Sequence, residues 1–185
     1  MVDMLNNFWF WICIFMIGFI LLFIGKWGHQ HNRKYGRQLF LIGTAWWCIV
    51  VAILPFTNQP RFSLSTYVTF PIGALLLCLS GLLEYKVHKM GAKIIWRQIP
   101  VGKKRLMTTG VYGVVRHPTY LGNILYPLGL SIILKATWAL LFCVFLVLFH
   151  IVLIFKEEKE LETGFGEEYK EYKKKVRWKL IPYLF

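Results

Sequence analysis

Thr137-Trp138-Ala139-Leu140-Leu141-Phe142-Cys143-Val144-Phe145-Leu146-Val147-Leu148-Phe149-His150-Ile151-Val152-Leu153-Ile154-Phe155 contains no Asp, Glu, Lys or Arg across its 19 residues. A helix rises about 1.5 Å per residue, so a ~30 Å hydrocarbon core takes roughly 20 apolar residues to cross. A run of this length and purity reads as a membrane-crossing helix. Four more runs share the pattern: Phe8–Gly25, Leu39–Pro55, Thr66–Leu83 and Thr119–Leu134, each free of the same four residue types. The hydrophobic share of 57% is too high for an ordinary soluble domain. The expected architecture is all-α: a polytopic integral membrane protein with five transmembrane helices.

The basic residues orient these spans. All but Arg61 and Lys135 of the 22 lysines and arginines fall in three places: the connection after the first run, the segment Glu84–Pro118, and the tail after Phe155. By the positive-inside rule those three regions are cytoplasmic, with the N-terminus outside and the C-terminus inside. Only Asp3 precedes the first run as a charge, and no small-residue cleavage site follows it, so that run is expected to be a retained helix rather than a signal peptide. The net charge of +13 is then a topology signal and an attraction to anionic lipid headgroups. Nucleic-acid binding is not expected, because no soluble basic module with stacking aromatics is present. Cys13, Cys48, Cys78 and Cys143 each stand alone inside an apolar run, so neither disulfides nor a metal site is expected.

The stretch Gly110-Val111-Tyr112-Gly113-Val114-Val115-Arg116-His117-Pro118-Thr119-Tyr120-Leu121-Gly122 sets an arginine, a histidine and two tyrosines at the mouth of the fourth run. Ionisable groups at the edge of hydrocarbon are costly and usually mark a site. His117 precedes a proline and is expected just outside the helix, with Pro118 in its first turn. Gly122, Asn123, Tyr126, Pro127 and Gly129 make that helix polar and kink-prone, as suits one packed on protein or lining a cavity. The segment Glu84–Arg105 alternates basic and apolar residues and reads as interfacial. The fifth helix meets no breaker until Gly164 and Gly166, so it should run on for about two turns and place Glu157 and Glu158 at the interface. Beyond it, Glu167–Val176 reads as a short helix with Tyr169, Tyr172 and Val176 on one face, and Ile181–Phe185 as an apolar tail.

Each of these residues also has a plainer reading. Arg116 is equally a topology charge, Glu157 and Glu158 a solvated helix extension, the Lys173–Lys175 run a headgroup-binding face, Tyr169 and Tyr172 packing residues, and His150 a partner in helix–helix hydrogen bonding.

Four motifs occur together and in order: Leu106-Met107-Thr108-Thr109-Gly110-Val111-Tyr112; Arg116-His117-Pro118-x-Tyr120-x-Gly122; Glu157-Glu158-x-x-Leu161; and Phe165-Gly166-Glu167-Glu168-Tyr169-x-x-Tyr172-x-x-x-Val176. In this combination the chain resembles the isoprenylcysteine carboxyl methyltransferases, integral-membrane enzymes with small prokaryotic relatives. The resemblance covers roughly Arg97 to Val176. It implies S-adenosylmethionine as cofactor at the cytoplasmic membrane face, and a lipophilic methyl acceptor such as a prenylcysteine carboxylate. Carried over by position, the cofactor contacts are Lys104, Arg105, Leu106 and Met107, Tyr112, and His117, Pro118, Thr119 and Tyr120, with Gly122 completing the motif and Glu157 joining from the fifth helix. Lys175 is the implied acceptor-side residue, and Arg116 and Glu158 join it as candidate catalytic residues on their own charge and position. The family's eukaryotic members have arginine followed by V-P where this chain reads Lys175-Val176-Arg177, so either Lys175 or Arg177 meets the acceptor. Residues 1–83 then form a three-helix scaffold and 84–185 a catalytic half closed by a cytoplasmic helical cap, all in one continuous membrane domain.

The chemistry asks for these residue types. Methyl transfer from a sulfonium is an in-line displacement whose main demand is alignment of two reactants. An adenine suits an aromatic slot at Tyr112 or Tyr120, a carboxylate suits donors such as His117 or Arg116, and an ammonium suits Glu157 or Glu158. A carboxylate acceptor is already ionised and needs desolvation plus a cation, Arg116 or Lys175. A phospholipid amine would need deprotonation instead. Two further readings stand beside this one: an NADPH-dependent sterol-type reductase, which shares an R-H-x-x-Y-x-G-like stretch, and a scaffold without catalysis.

Overall fold

The computed structural model describes residues 7–30, 35–90 and 106–185. Lys104 and Arg105 lie outside the described residues, as does most of the segment read as interfacial. Six α-helices occur among the described residues: α1 (Phe8–Gln30), α2 (Gly36–Ile53), α3 (Thr66–Lys89), α4 (Pro118–Ile133), α5 (Thr137–Phe165) and α6 (Glu167–Lys175). Short 3₁₀ turns span Leu54–Phe56 and Gly110–Gly113. Among the described residues, three helices are long and apolar enough to cross a membrane, over Phe8–Gly25, Thr66–Lys89 and Thr137–Phe165. The helices α2 and α4, of 18 and 16 residues, are shorter. Trp9, Leu75, Leu148 and Val152 expose their apolar side chains, which suits a lipid environment and no aqueous one. The chain is an integral membrane protein.

Helix α1 packs on α2, and α3 on α4. Glycine sets the second pairing. A Cβ on Gly73 would stand 2.6 Å from the Gly129 carbonyl oxygen, and one on Gly129 2.8 Å from the Gly73 oxygen. Only bare backbone allows that approach, the small-residue contact on which apolar helices associate in lipid. One end of the same interface is tied by Ser80, whose hydroxyl donates to the Gly122 carbonyl at 2.9 Å. Gly122 and Gly129 are thus packing residues on the α3 side of α4, whatever else they do.

Several boundaries differ from the sequence reading. Helix α3 continues through Glu84 to Lys89, because nothing breaks it before Gly91; Lys86, His88 and Lys89 close its last turn, where cations suit the helix dipole. The first residues of the expected interfacial segment therefore belong to this helix. Helix α5 runs to Phe165, passing Gly164 and ending at Gly166 with φ 55°, a conformation open to glycine. It extends ten residues beyond Phe155, about three turns rather than two.

At the far end of α4 the chain turns through Lys135, at φ 54°, into α5. Arg61 clamps this corner: its guanidinium donates to the carbonyls of Pro55, Thr57 and Leu134 at 2.8–2.9 Å. Buried Gln59 donates to the Leu54 carbonyl at 2.6 Å and accepts from the Ala139 amide at 3.0 Å. Trp11, Phe15, Val50, Val51, Leu54, Ala139 and Phe142 fill the core between α1, α2 and α5. The opposite end of α4 carries the charged residues.

Candidate active site

The entrance to α4 and the exit of α5 meet. Pro118 occupies the first helical position of α4, and the 3₁₀ turn Gly110–Gly113 leads into it, so Tyr112, Arg116 and His117 are delivered at one helix mouth. Because α5 stays helical past Phe155, Glu157 and Glu158 stand one turn beyond its apolar stretch, opposite that mouth.

Arg116 is the hub. Its Nε donates to Glu158 Oε1 at 2.7 Å, its Nη2 lies 2.7 Å from the same oxygen, and its Nη1 donates to the carbonyls of Val176 at 2.6 Å and Arg177 at 2.9 Å. The backbone follows suit: the Arg116 amide donates to Trp178 O and the His117 amide to Lys179 O. The extended tail after α6 is thereby strapped across the helix mouth. Lys179 Nζ approaches Glu158 Oε2 at 3.6 Å and sits 3.9 Å over the Phe155 ring. Burial pushes the Glu158 carboxyl up, but His117, the Arg116 guanidinium and the Lys179 charge outweigh it and hold its pKa at about 2.

His117 stands between the two glutamates, with Nδ1 3.6 Å from Glu157 Oε2 and Nε2 3.5 Å from Glu158 Oε1. Those separations exceed a good hydrogen bond, and the buried Nε2 has no hydrogen-bond partner. The imidazole lies parallel to the Tyr120 ring at 5.5 Å, and Tyr120 meets the edge of His150 at 5.1 Å. His150 Nδ1 is 2.8 Å from the Leu146 carbonyl of its own helix, so that bond is intrahelical and its contact with α4 is aromatic. Tyr112 is buried against Val87, Met90, Met107 and Val111. Burial raises its pKa, the Thr119 hydroxyl pulls it back, and the nearby charges of Glu157 and Glu84 raise it further.

Helix α6 covers this assembly. Tyr169, Tyr172 and Val176 form its buried face and pack on Leu106, Leu161 and Phe165. The Tyr172 hydroxyl donates to the Tyr112 carbonyl at 2.7 Å, whereas the fully buried Tyr169 hydroxyl has no partner.

The structure thus brings together Arg116, His117, Tyr120, Glu157 and Glu158, with Tyr112 and Thr119 adjoining and Leu106 and Met107 in the flanking packing. Lys175 and Arg177 are exposed and not part of the cluster, although the Arg177 carbonyl is. Two residues missed by sequence reasoning join it: Lys179, hidden in a tail with many lysines, and Glu84, hidden in a basic segment. Accessibility divides the two glutamates. The Glu157 side chain is 23% exposed against 8% for Glu158, and every strong donor near Glu158 is already engaged with it. Glu158 holds the fold of the site together; Glu157 faces outward.

The chain is similar to two kinds of membrane protein. Residues 89–185, more than half of the chain, match the ergosterol biosynthesis ERG4/ERG24 family. The chain is 27% identical to the Delta(14)-sterol reductase TM7SF2 of Mus musculus over 203 aligned residues, 91% of this chain and 46% of that protein. It is 32% identical to the protein-S-isoprenylcysteine O-methyltransferase of Schizosaccharomyces pombe over 63% of this chain and 50% of that one. The corresponding enzyme of Saccharomyces cerevisiae is 33% identical over 70% of this chain and 56% of its own. The chain spans about half the length of the curated relatives it matches. No solved structure matches it. The chain belongs to the ERG4/ERG24 family of membrane proteins and, as its motifs indicated, is a relative of the protein-S-isoprenylcysteine O-methyltransferases.

Proposed function

We propose that this protein is an integral-membrane methyltransferase that uses S-adenosylmethionine and acts on a lipophilic acceptor at the cytoplasmic membrane face, with a prenylcysteine-like carboxylate as the acceptor. The observation that carries the reading is the cluster of His117, Tyr120 and Glu157 on the outward side of the Arg116–Glu158 pair. It offers what an S-adenosyl group requires: a flat aromatic pair and a carboxylate for an ammonium. When bound, that cofactor supplies the electrophilic methyl group. Glu157 then orients its cationic end, Tyr112 and Tyr120 line the adenosine, and α6 with the strapped tail excludes water.

Five spans, an outside N-terminus and an inside C-terminus belong to the same proposal. Helices α2 and α4 complete the count as shorter spans packed against α1 and α3, and the positive-inside distribution sets the direction. Residues 1–83 serve as scaffold and 84–185 carry the chemistry. For the acceptor's cation, exposed Lys175 and Arg177 at the end of α6 are the available side chains, since Arg116 spends its donors on Glu158 and the tail carbonyls.

A second reading is an NADPH-dependent sterol-type reductase, favoured by the ERG4/ERG24 match and by the breadth of the Delta(14)-sterol reductase alignment. The methyltransferase reading is preferred on the higher identity of those relatives, 32–36% against 27–29%. Purified protein incubated with methyl-labelled S-adenosylmethionine and lipophilic acceptors should yield a labelled product that base hydrolyses, as a methyl ester does. A base-stable product would move the acceptor to a phospholipid amine. No labelled product with any acceptor, together with NADPH consumption, would replace the reading by the reductase.

A further inference from the structure

We propose that Glu84 is a binding residue of this site and that, with Glu157, it receives the ammonium group of the S-adenosyl cosubstrate. The proposal rests on the methyltransferase reading above. Glu84 lies near the end of α3, the helix that buries Gly73, Ser80 and Val87 against its neighbours. Its side chain is exposed and so open to a ligand, and it makes no hydrogen bond or salt bridge among the described residues, although the charge of His88 one turn further on acts on it.

Its position is specific. A Cβ on Gly122 would stand 2.8 Å from Glu84 Oε1, so the carboxylate lies directly on the bare backbone of the second turn of α4. Any side chain at residue 122 would displace it. From there its charge acts on the Tyr112 hydroxyl, as does that of Glu157. Two carboxylates on different helices therefore act on one tyrosine, and Val87, one turn beyond Glu84, packs on that tyrosine. The same cluster holds the buried imidazole of His117, whose Nδ1 lies 3.6 Å from Glu157 Oε2. The inward half is neutralised: Glu158 is met by Arg116 and Lys179. Among the described residues, the outward half carries two carboxylates and π-faces with no lysine or arginine paired to them, the setting a ligand ammonium favours.

The test titrates wild type, Glu84→Gln, Gly122→Ala and the double variant with two ligands. S-adenosylhomocysteine carries the ammonium; 5′-methylthioadenosine keeps the adenosine and thioether but lacks the amino-acid group. Glu84→Gln should weaken S-adenosylhomocysteine on the order of tenfold and change 5′-methylthioadenosine by less than about twofold. Gly122→Ala should do the same, because its new methyl pushes aside the flexible end of Glu84, and the double variant should lose no more than either single one. Unchanged S-adenosylhomocysteine binding in Glu84→Gln overturns the proposal, and so does an equal loss of both ligands. If wild type binds neither ligand, the methyltransferase reading itself fails and the assignment of Glu84 falls with it.

Discussion

Arg116 and Glu158 lie 42 positions apart in sequence, yet a single carboxylate oxygen of Glu158 sits 2.7 Å from both Nε and Nη2 of the arginine. Both side chains are almost wholly buried, at 4% and 8% exposure. The pair joins the mouth of α4 to the exit of α5, and the remaining arginine donors hold the tail over the junction. It is an anchor, and Glu157 on its outward side is the more exposed of the two glutamates.

Removing one member strands the other. Breaking a buried ion pair costs about 3–5 kcal/mol, because an uncompensated charge remains. Arg116→Ala and Glu158→Ala should each lower the unfolding free energy in detergent by that order. They should also open the tail to proteolysis between Val176 and Phe185. Arg116→Lys should not restore either property, since an ammonium cannot reach Glu158 and two carbonyls in one plane. A tail that stays resistant in Arg116→Ala would show that the backbone bonds to Trp178 and Lys179 hold the strap without the guanidinium.

The same pair sets an acid limit. Glu158 has a folded pKa of about 2 against an ordinary value of 4.5. A depressed carboxyl contributes stability that is fully present above the unfolded value and is lost as pH falls through the folded one. Wild-type stability should therefore decline between about pH 4.5 and 2, and Glu158→Gln should decline less over the same window. Parallel curves would assign the acid sensitivity to other carboxylates.

Two tyrosines on α6 should respond in opposite ways to loss of the hydroxyl. Tyr172→Phe removes the bond to the Tyr112 carbonyl and should cost about 0.5–1.5 kcal/mol, more if the buried carbonyl finds no new donor. Tyr169→Phe removes a buried hydroxyl that has no partner and should be neutral or stabilising in the ligand-free protein. Denaturant titration of both variants separates them; equal losses would contradict the hydrogen-bond assignment.

What local pattern controls was readable from the sequence. The purity of Thr137–Phe155, the proline that starts α4 and the spacing of Tyr169, Tyr172 and Val176 each correspond to an element at the expected place. The convergence of Arg116 with Glu157 and Glu158 was also within reach, because uninterrupted helix leaves α5 nowhere else to put them. What depends on tertiary approach was not. Gly122 and Gly129 read as kink residues, but close contact with Glu84 and Gly73 on α3 explains them better. Lys179 rather than Lys175 faces Glu158, because the tail after α6 is extended and its pairing with the Arg116 and His117 backbone decides which side chains turn inward. No composition or spacing rule reports such a register.

The most direct measurement is calorimetric titration of the detergent-purified protein with S-adenosylhomocysteine and, separately, with NADPH, in wild type and in Glu157→Gln. The account predicts saturable binding of S-adenosylhomocysteine, weakened in Glu157→Gln, with stabilisation of about 2.7 kcal/mol at a hundredfold excess over Kd. Binding of NADPH in place of S-adenosylhomocysteine would contradict it.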